Sequence, residues 1–294
     1  MTGLEYFFAQ ILNGLSAGSI YALIAVGYSM VFGVLQMHNF AHGDTLMFGT
    51  YVAMALMLVG VPAVAAIPIG MLLGGAMGFL IERIAFRPTR TAHRMVPTVS
   101  AIAVALIIRN TAQLIWGTTT EPFPLDIPVA RAEIFGIGVT STQVAVFGVA
   151  LLLMLATDLF VRKTMIGKAM RAVQQDIDAA GYMGIPVNRT IAMVYVLGGL
   201  LGVAGGILFA INYNTVYLMM GFTVMMKAFV AAVIGGIGNI KGAFVGGLVL
   251  GVAEALAAAY FDTGYRDGIA MGLLILVLLI RPQGLFGRPI QVKV

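Results

Sequence analysis

Cysteine is absent from this sequence, which excludes disulfide scaffolds, thiolate nucleophiles and cysteine metal sites. Charge is also scarce: 10% of the 294 residues are charged, against roughly 25% in a soluble domain. No charged residue lies between Glu5 and Asp44, between Asp44 and Glu82, or between Arg189 and Lys227. A phosphate-binding loop is missing too. The nearest approach, Gly235-Gly236-Ile237-Gly238-Asn239-Ile240-Lys241-Gly242, puts a glycine where the metal-binding hydroxyl belongs, so ATP hydrolysis by that route is excluded from this chain. The N-terminus lacks a basic stretch before its first apolar run, which argues against a signal peptide.

Hydrophobic residues make up 60% of the chain. Each charge-free gap exceeds the roughly 20 apolar residues that cross a hydrocarbon core of about 30 Å. Apolar segments fall at about 8–35, 44–60, 62–81, 96–116, 143–161, 190–212, 222–238, 242–260 and 267–281. The expected fold is all-α, a polytopic transmembrane helix bundle of eight or nine spans with broken or re-entrant segments. The segment at 222–238 is short and holds Lys227, which makes it the re-entrant candidate. Residues 1–294 read as a single membrane-embedded unit, since neither long polar stretch, 117–142 or 162–189, is large enough for a core of its own.

The formal charge of +5 belongs to topology rather than to nucleic acid. Residues 82–95 hold Arg83, Arg87, Arg90 and Arg94; residues 162–189 hold Arg162, Lys163, Lys168, Arg171 and Arg189; the tail holds Arg281, Arg288 and Lys293. Loops rich in Lys and Arg face the cytoplasm. The acidic stretch 117–142, with Glu121, Asp126 and Glu133, then faces outward, the C-terminus lies inside and the N-terminus outside. Glycines four residues apart, as at Gly14 and Gly18, Gly70, Gly74 and Gly78, Gly198, Gly202 and Gly206, and Gly247 and Gly251, suit close helix packing in lipid.

Three segments could carry function. Met37-His38-Asn39-Phe40-Ala41-His42-Gly43-Asp44 is either a cytoplasmic turn or a polar break at membrane depth that lines a pathway. Helical spacing of His38 and His42 with Asp44 nearby also admits a metal site, although no second ligand cluster accompanies it. The run Gly221–Gly251 is either a tight hairpin or the second glycine-broken element expected at a transporter's binding site or gate. The third segment runs from Gly167 to Ile185. It places Met170, Val173 and Ile177 on one apolar face, fit for a lipid surface or a partner's groove. Arg109, Lys227 and Glu254 stand inside apolar spans, where ionisable groups line pathways, pair or snorkel.

Several of these stretches resemble one family. Ser19–Tyr28, Asn39–Asp44, Gly167–Ile185, Met226–Gly238, Tyr265-Arg266-Asp267 and Leu276–Gly284 are similar, in order and separation, to LivH-type permeases of bacterial ABC importers for branched-chain amino acids. The resemblance implies a non-catalytic inner-membrane subunit without a cofactor. Its partners would be a related or identical permease, two cytoplasmic ATPase subunits, a periplasmic substrate-binding protein and membrane lipid. The coupling segment at 164–186 would dock on the ATPase through Gly167, Arg171, Asp176, Ala179, Ala180 and Gly184. Asn39, His42, Asp44, Lys227 and Glu254 are the candidates for the substrate pathway or gate. A related importer for urea or short amides, or a stand-alone channel or secondary transporter, are the alternative readings.

Overall fold

The computed structural model describes residues 3–93, 95–125, 130–134, 137–261 and 263–287. The orientation charges Arg94, Asp126, Arg288 and Lys293 lie outside the described residues. The described chain is a bundle of α-helices: α1 (Gly3–Leu35), α2 (Ala41–Leu58), α3 (Ala63–Ile81), α4 (Met95–Trp116), α5 (Ser141–Lys163), α6 (Met165–Gln175), α7 (Ile177–Tyr182), α8 (Val187–Tyr213), α9 (Met220–Gly235), α10 (Ile240–Tyr260) and α11 (Arg266–Ile280). A π-helical turn, Glu82–Phe86, extends α3. Among the described residues, extended structure is a short antiparallel ribbon, β1 (Arg131–Ile134) on β2 (Ile137–Thr140) with Arg131 opposite Thr140, and a bridge between Glu121 and Val216.

Each of the nine apolar segments is a helix. Seven, α1, α3, α4, α5, α8, α10 and α11, are long and apolar enough to cross a membrane, counting the short turns that flank α3 and α11. The other two are α2 and α9. Helices α1 and α8 form the buried centre, while α11 fully buries only Ala270, rests Leu273, Leu274 and Val277 on the core and exposes Ile275, Leu276, Leu278 and Leu279, as a lipid-facing helix does.

Helices α1–α3 and α8–α10 pack in the same pairwise order. Helix α1 packs along α10 as α8 packs along α3; α2 lies against α8 as α9 lies against α1. Glycines set these contacts. A Cβ added at Gly18 would fall 2.7 Å from the Gly247 carbonyl oxygen, and one at Gly74 would fall 2.8 Å from that of Gly199. Backbones this close gain dispersion energy that bulkier side chains would forfeit. Aligning Gly43 with Gly221 sets Thr45 against Thr223, Met47 against Met225, Val52 against Val230 and Ala53 against Ala231.

The candidate segment Gly167–Ile185 is not one helix. Asp176 leaves helical geometry at φ −159°, and its side chain accepts from the backbone N–H groups of Asp178 and Ala179, both at 3.0 Å. That cap starts α7 on a new axis. The expected apolar face therefore ends at Val173: Met170 and Val173 are buried, and Ile177 is exposed.

Candidate functional site

Helix α1 runs to Leu35, where Gln36 takes a positive φ of 52° and the helix stops. The chain then turns back alongside α1. His38 Nδ1 lies 2.7 Å from the Tyr28 hydroxyl, and its ring centroid lies 4.9 Å from that of Phe32. Helix α2 begins beside the middle of α8, since a Cβ on Gly202 would meet the His42 ring at 3.0 Å. The second half repeats this move. Asn214 ends α8 in left-handed geometry at φ 48°, and Tyr217 returns along α8 to within 6.4 Å of the Phe209 ring. Helix α9 then starts at the same depth as α2. A Cβ on Gly43 would fall 2.5 Å from the Gly221 carbonyl oxygen and 2.9 Å from Met225 Cβ, and one on Gly221 would fall 3.0 Å from Met47 Cβ. Two broken helices thus cross backbone to backbone in mid-bundle, with the positive ends of both dipoles there.

The discontinuity in the second half therefore lies at 214–219, ahead of Gly221. The glycine run Gly235–Gly242 is instead the tight turn between α9 and α10, with Gly236 at φ 100° and Gly238 at φ 91°, where a side chain would be strained.

Ionisable groups flank the crossing in two separate sets. On the α2 side, Asp44 is buried and accepts two hydrogen bonds from Arg109 of α4, at 2.8 and 3.0 Å. On the α9 side, Lys227 donates to Glu254 of α10 at 3.1 Å and lies 3.2 Å from Asp267 of α11. The Tyr21 hydroxyl adds a 3.2 Å bond to Glu254, and the Lys227 ammonium sits 5.5 Å from the Tyr21 ring centroid. Pairing is what permits charges at this depth. Of the expected pathway residues, Asn39, His42 and Asp44 come together at the start of α2, while Lys227 and Glu254 form the second set. Asn39 Oδ1, His42 Nε2 and Glu254 Oε1 are buried with no hydrogen-bond partner among the described residues. His38 and His42 do not share a helical face, because His38 precedes the helix; one turns to Phe32 and Phe229, the other to Gly202.

The two halves differ in what covers the broken helices. In α2 the face Ala41, Asp44, Thr45, Phe48 is closed by α4: Ala41, Asp44 and Thr45 are buried, and Phe48 meets the Trp116 ring edge-on at 5.3 Å. The equivalent face of α9, Met219, Phe222, Thr223 and Met226, is uncovered; Met219, Phe222 and Thr223 are exposed and Met226 half-buried. Outer coverage reverses the order. The segment after α4 reaches over the second break, where Glu121 and Val216 exchange backbone hydrogen bonds of 2.9 and 2.8 Å.

In the segment Gly167–Ile185, Gly167 is buried against the end of α5, and its N–H donates to the capping Thr164 hydroxyl at 3.0 Å. Arg171 and Ala179 are exposed and Ala180 is buried. Gly184, at φ 80°, closes α7. Sequence reasoning passed over Tyr182 and Met183, which stand 91% and 83% exposed on this polar side of the bundle. Tyr21, Asp267 and Trp116 were missed as well; nothing local in their sequence announces partners so distant along the chain.

A family model described as branched-chain amino acid transport system, permease component, matches residues 10–278. The chain is 42% identical over 302 aligned positions to the high-affinity branched-chain amino acid transport system permease protein LivH of Salmonella typhimurium, covering 98% of each chain. It is 38% identical to the corresponding BraD protein of Pseudomonas aeruginosa, covering all of both chains. A probable branched-chain amino acid transport permease of Methanocaldococcus jannaschii is 29% identical over 92% of this chain and 89% of its own.

Proposed function

This chain belongs to the family of branched-chain amino acid transport permease components, and from that premise we propose that it forms half of the membrane path of an ABC importer for leucine, isoleucine, valine or similar amphipathic amino acids. The full-length likeness to permeases named for that transport carries the substrate reading. A related or identical permease supplies the other half. A periplasmic binding protein delivers substrate, and two cytoplasmic ATPase subunits supply the energy. The N-terminus and 117–142 face outward and the C-terminus faces the cytoplasm of a bacterial inner membrane, following the clustering of Lys and Arg.

The whole chain acts as one unit, with the segment 164–186 docking on the ATPase. Arg171, Ala179 and the exposed Tyr182 and Met183 meet it, while Gly167, Asp176, Ala180 and Gly184 give the segment its shape. Substrate passes along the uncovered face of α9, where Phe222, Met219 and Met226 suit branched apolar side chains and Met adapts to their shapes. Asn39, His42 and Asp44 hold the first half of the crossing, and Lys227 with Glu254 holds the second. A conformational change that separates these sets opens the gate.

Reconstitution in liposomes with a paired permease, both ATPase subunits and the binding protein tests the reading. Leucine uptake that requires ATP and the binding protein is the expected result. Gradient-driven uptake by this chain alone would overturn the importer, and a complex that moves urea but no branched-chain amino acid would overturn the substrate.

A further inference from the structure

Behind α6 lies a cavity of about 780 Å³, bounded by α1, α5, α8, the turn between α9 and α10, and the tail at Phe286 and Gly287. Helix α6 is anchored to α5 through its buried Gly167 and to the bundle through Met170 and Val173. Toward the α9–α10 turn, by contrast, the cavity separates it from its neighbours, so packing transmits little force in that direction. Among the described residues, one side chain of α6 spans the gap with a hydrogen bond. Gln174 Nε2 donates to the Gly238 carbonyl at 3.3 Å, and the Gly238 N–H donates to the Ser29 hydroxyl of α1 at 2.6 Å.

The seat of this amide is shaped for it. A Cβ on Gly33 would fall 2.8 Å from Gln174 Nε2 and 3.0 Å from Gly238 Cα; a Cβ on Gly238 would fall 3.1 Å from the same nitrogen. Two glycines, one on α1 and one on the turn, thus leave the space that the Gln174 amide enters. The turn is also tied to the tail. Leu285 and Phe286 donate backbone N–H groups to Ile234 and Gly235 at 2.8 and 3.0 Å, and Asn239 Nδ2 donates to Phe286 O at 3.0 Å. Displacing Gly238 therefore moves the end of α9 as a unit.

We propose that Gln174 is a positioning residue that links the ATPase-docking segment to α9: through Gly238 and Ser29 it transmits movement of α6 to the broken helix at the crossing. Gln174 touches no substrate on this account, and its effect is on how much transport each ATP yields. The proposal rests on 164–186 being the docking segment.

The test uses the complete reconstituted transporter and compares Gln174→Met, which fills the slot without a donor, with Gln174→Lys, which keeps a donor of similar reach. Both complexes should hold their ATPase subunits through purification and hydrolyse ATP within about twofold of wild type. Gln174→Met should then move about tenfold less leucine per ATP, the size of effect expected from one lost polar link that biases a two-state element. Gln174→Lys should recover most of that yield. Gly33→Ala, which pushes on the seated amide, should lower the yield in the same direction as Gln174→Met. An unchanged yield in Gln174→Met, with the complex intact, would overturn the relay while leaving the docking reading in place. If bulk at the exposed Ala179 failed to disturb ATPase association or coupling, the docking reading itself would fail.

Discussion

The two broken helices share a backbone plan, yet one is locked in place and the other is left open. Helix α2 is clamped: its first turn is closed by the Asp44–Arg109 pair and its face by Trp116. Helix α9 is held by a looser set, in which Lys227 divides its contacts between Glu254 and an Asp267 side chain that is 83% exposed. Its open face carries Met219, Phe222, Thr223 and Met226. On the proposed account, the half with α2 serves as a fixed wall and the half with α9 as the moving part. On that account the crossing at Gly43 and Gly221 is their pivot, and the Gln174 link joins the turn after α9 to α1 through Gly238 and Ser29.

The largest effect should come from the pivot itself. Gly43→Val or Gly221→Val inserts atoms where the facing backbone already sits at contact, which should cost about 3 kcal/mol or more. Thermal midpoints of the purified variants should fall to a similar extent for both. A large loss for one and none for the other would break the shared crossing.

Next in size is the contrast between the ion pairs. Removing one partner of a buried pair strands a charge and costs about 3–5 kcal/mol, so Arg109→Met should be severe and Arg109→Met with Asp44→Asn should regain much of the loss. Lys227→Met should cost less, because the Tyr21 hydroxyl still donates to the Glu254 carboxylate left behind. Equal losses at Arg109 and Lys227 would remove the distinction between fixed and moving halves.

The faces give a third contrast. Phe48→Ala should lower stability by about 3 kcal/mol, since that ring packs on Trp116. Phe222→Ala should leave stability within about 0.5 kcal/mol and lower leucine uptake instead. The smallest effect belongs to Tyr217→Phe, which removes a 2.9 Å bond to the Thr223 hydroxyl and should cost about 1 kcal/mol or less.

Most of this architecture was legible in the sequence. Apolar runs located all nine apolar helices because a helix packed in lipid needs a long apolar stretch whatever the fold, even where it holds Arg109, Lys227 or Glu254. Depth was not legible: hydropathy is the same for a helix that crosses and for one that begins halfway. The first break could be suspected from the polar residues Asn39, His42 and Asp44. The run Gly221–Gly251 stays open in the sequence between a hairpin and a break because glycine density marks turns and breaks alike, whereas the break at 214–219 is signalled locally by little more than Asn214. The Asp44–Arg109 and Tyr21–Glu254 contacts join residues far apart in the chain, which no periodicity reveals. The division at Asp176 was readable in principle, since Asp ahead of a short apolar run is an N-cap signal, but the apolar spacing continued through it and masked the stop.

The measurement that bears most directly on a path at the crossing is thiol labelling in this cysteine-free chain. Single cysteines at Phe40, Phe222 and Ile107 would be exposed to a small charged thiol reagent in the assembled transporter, with and without ATP. Phe222→Cys and Phe40→Cys should react, at rates that change with ATP, while Ile107→Cys, on the outer face of α4, stays silent. Silence at positions 40 and 222 in both states would contradict a water-accessible path beside the two broken helices.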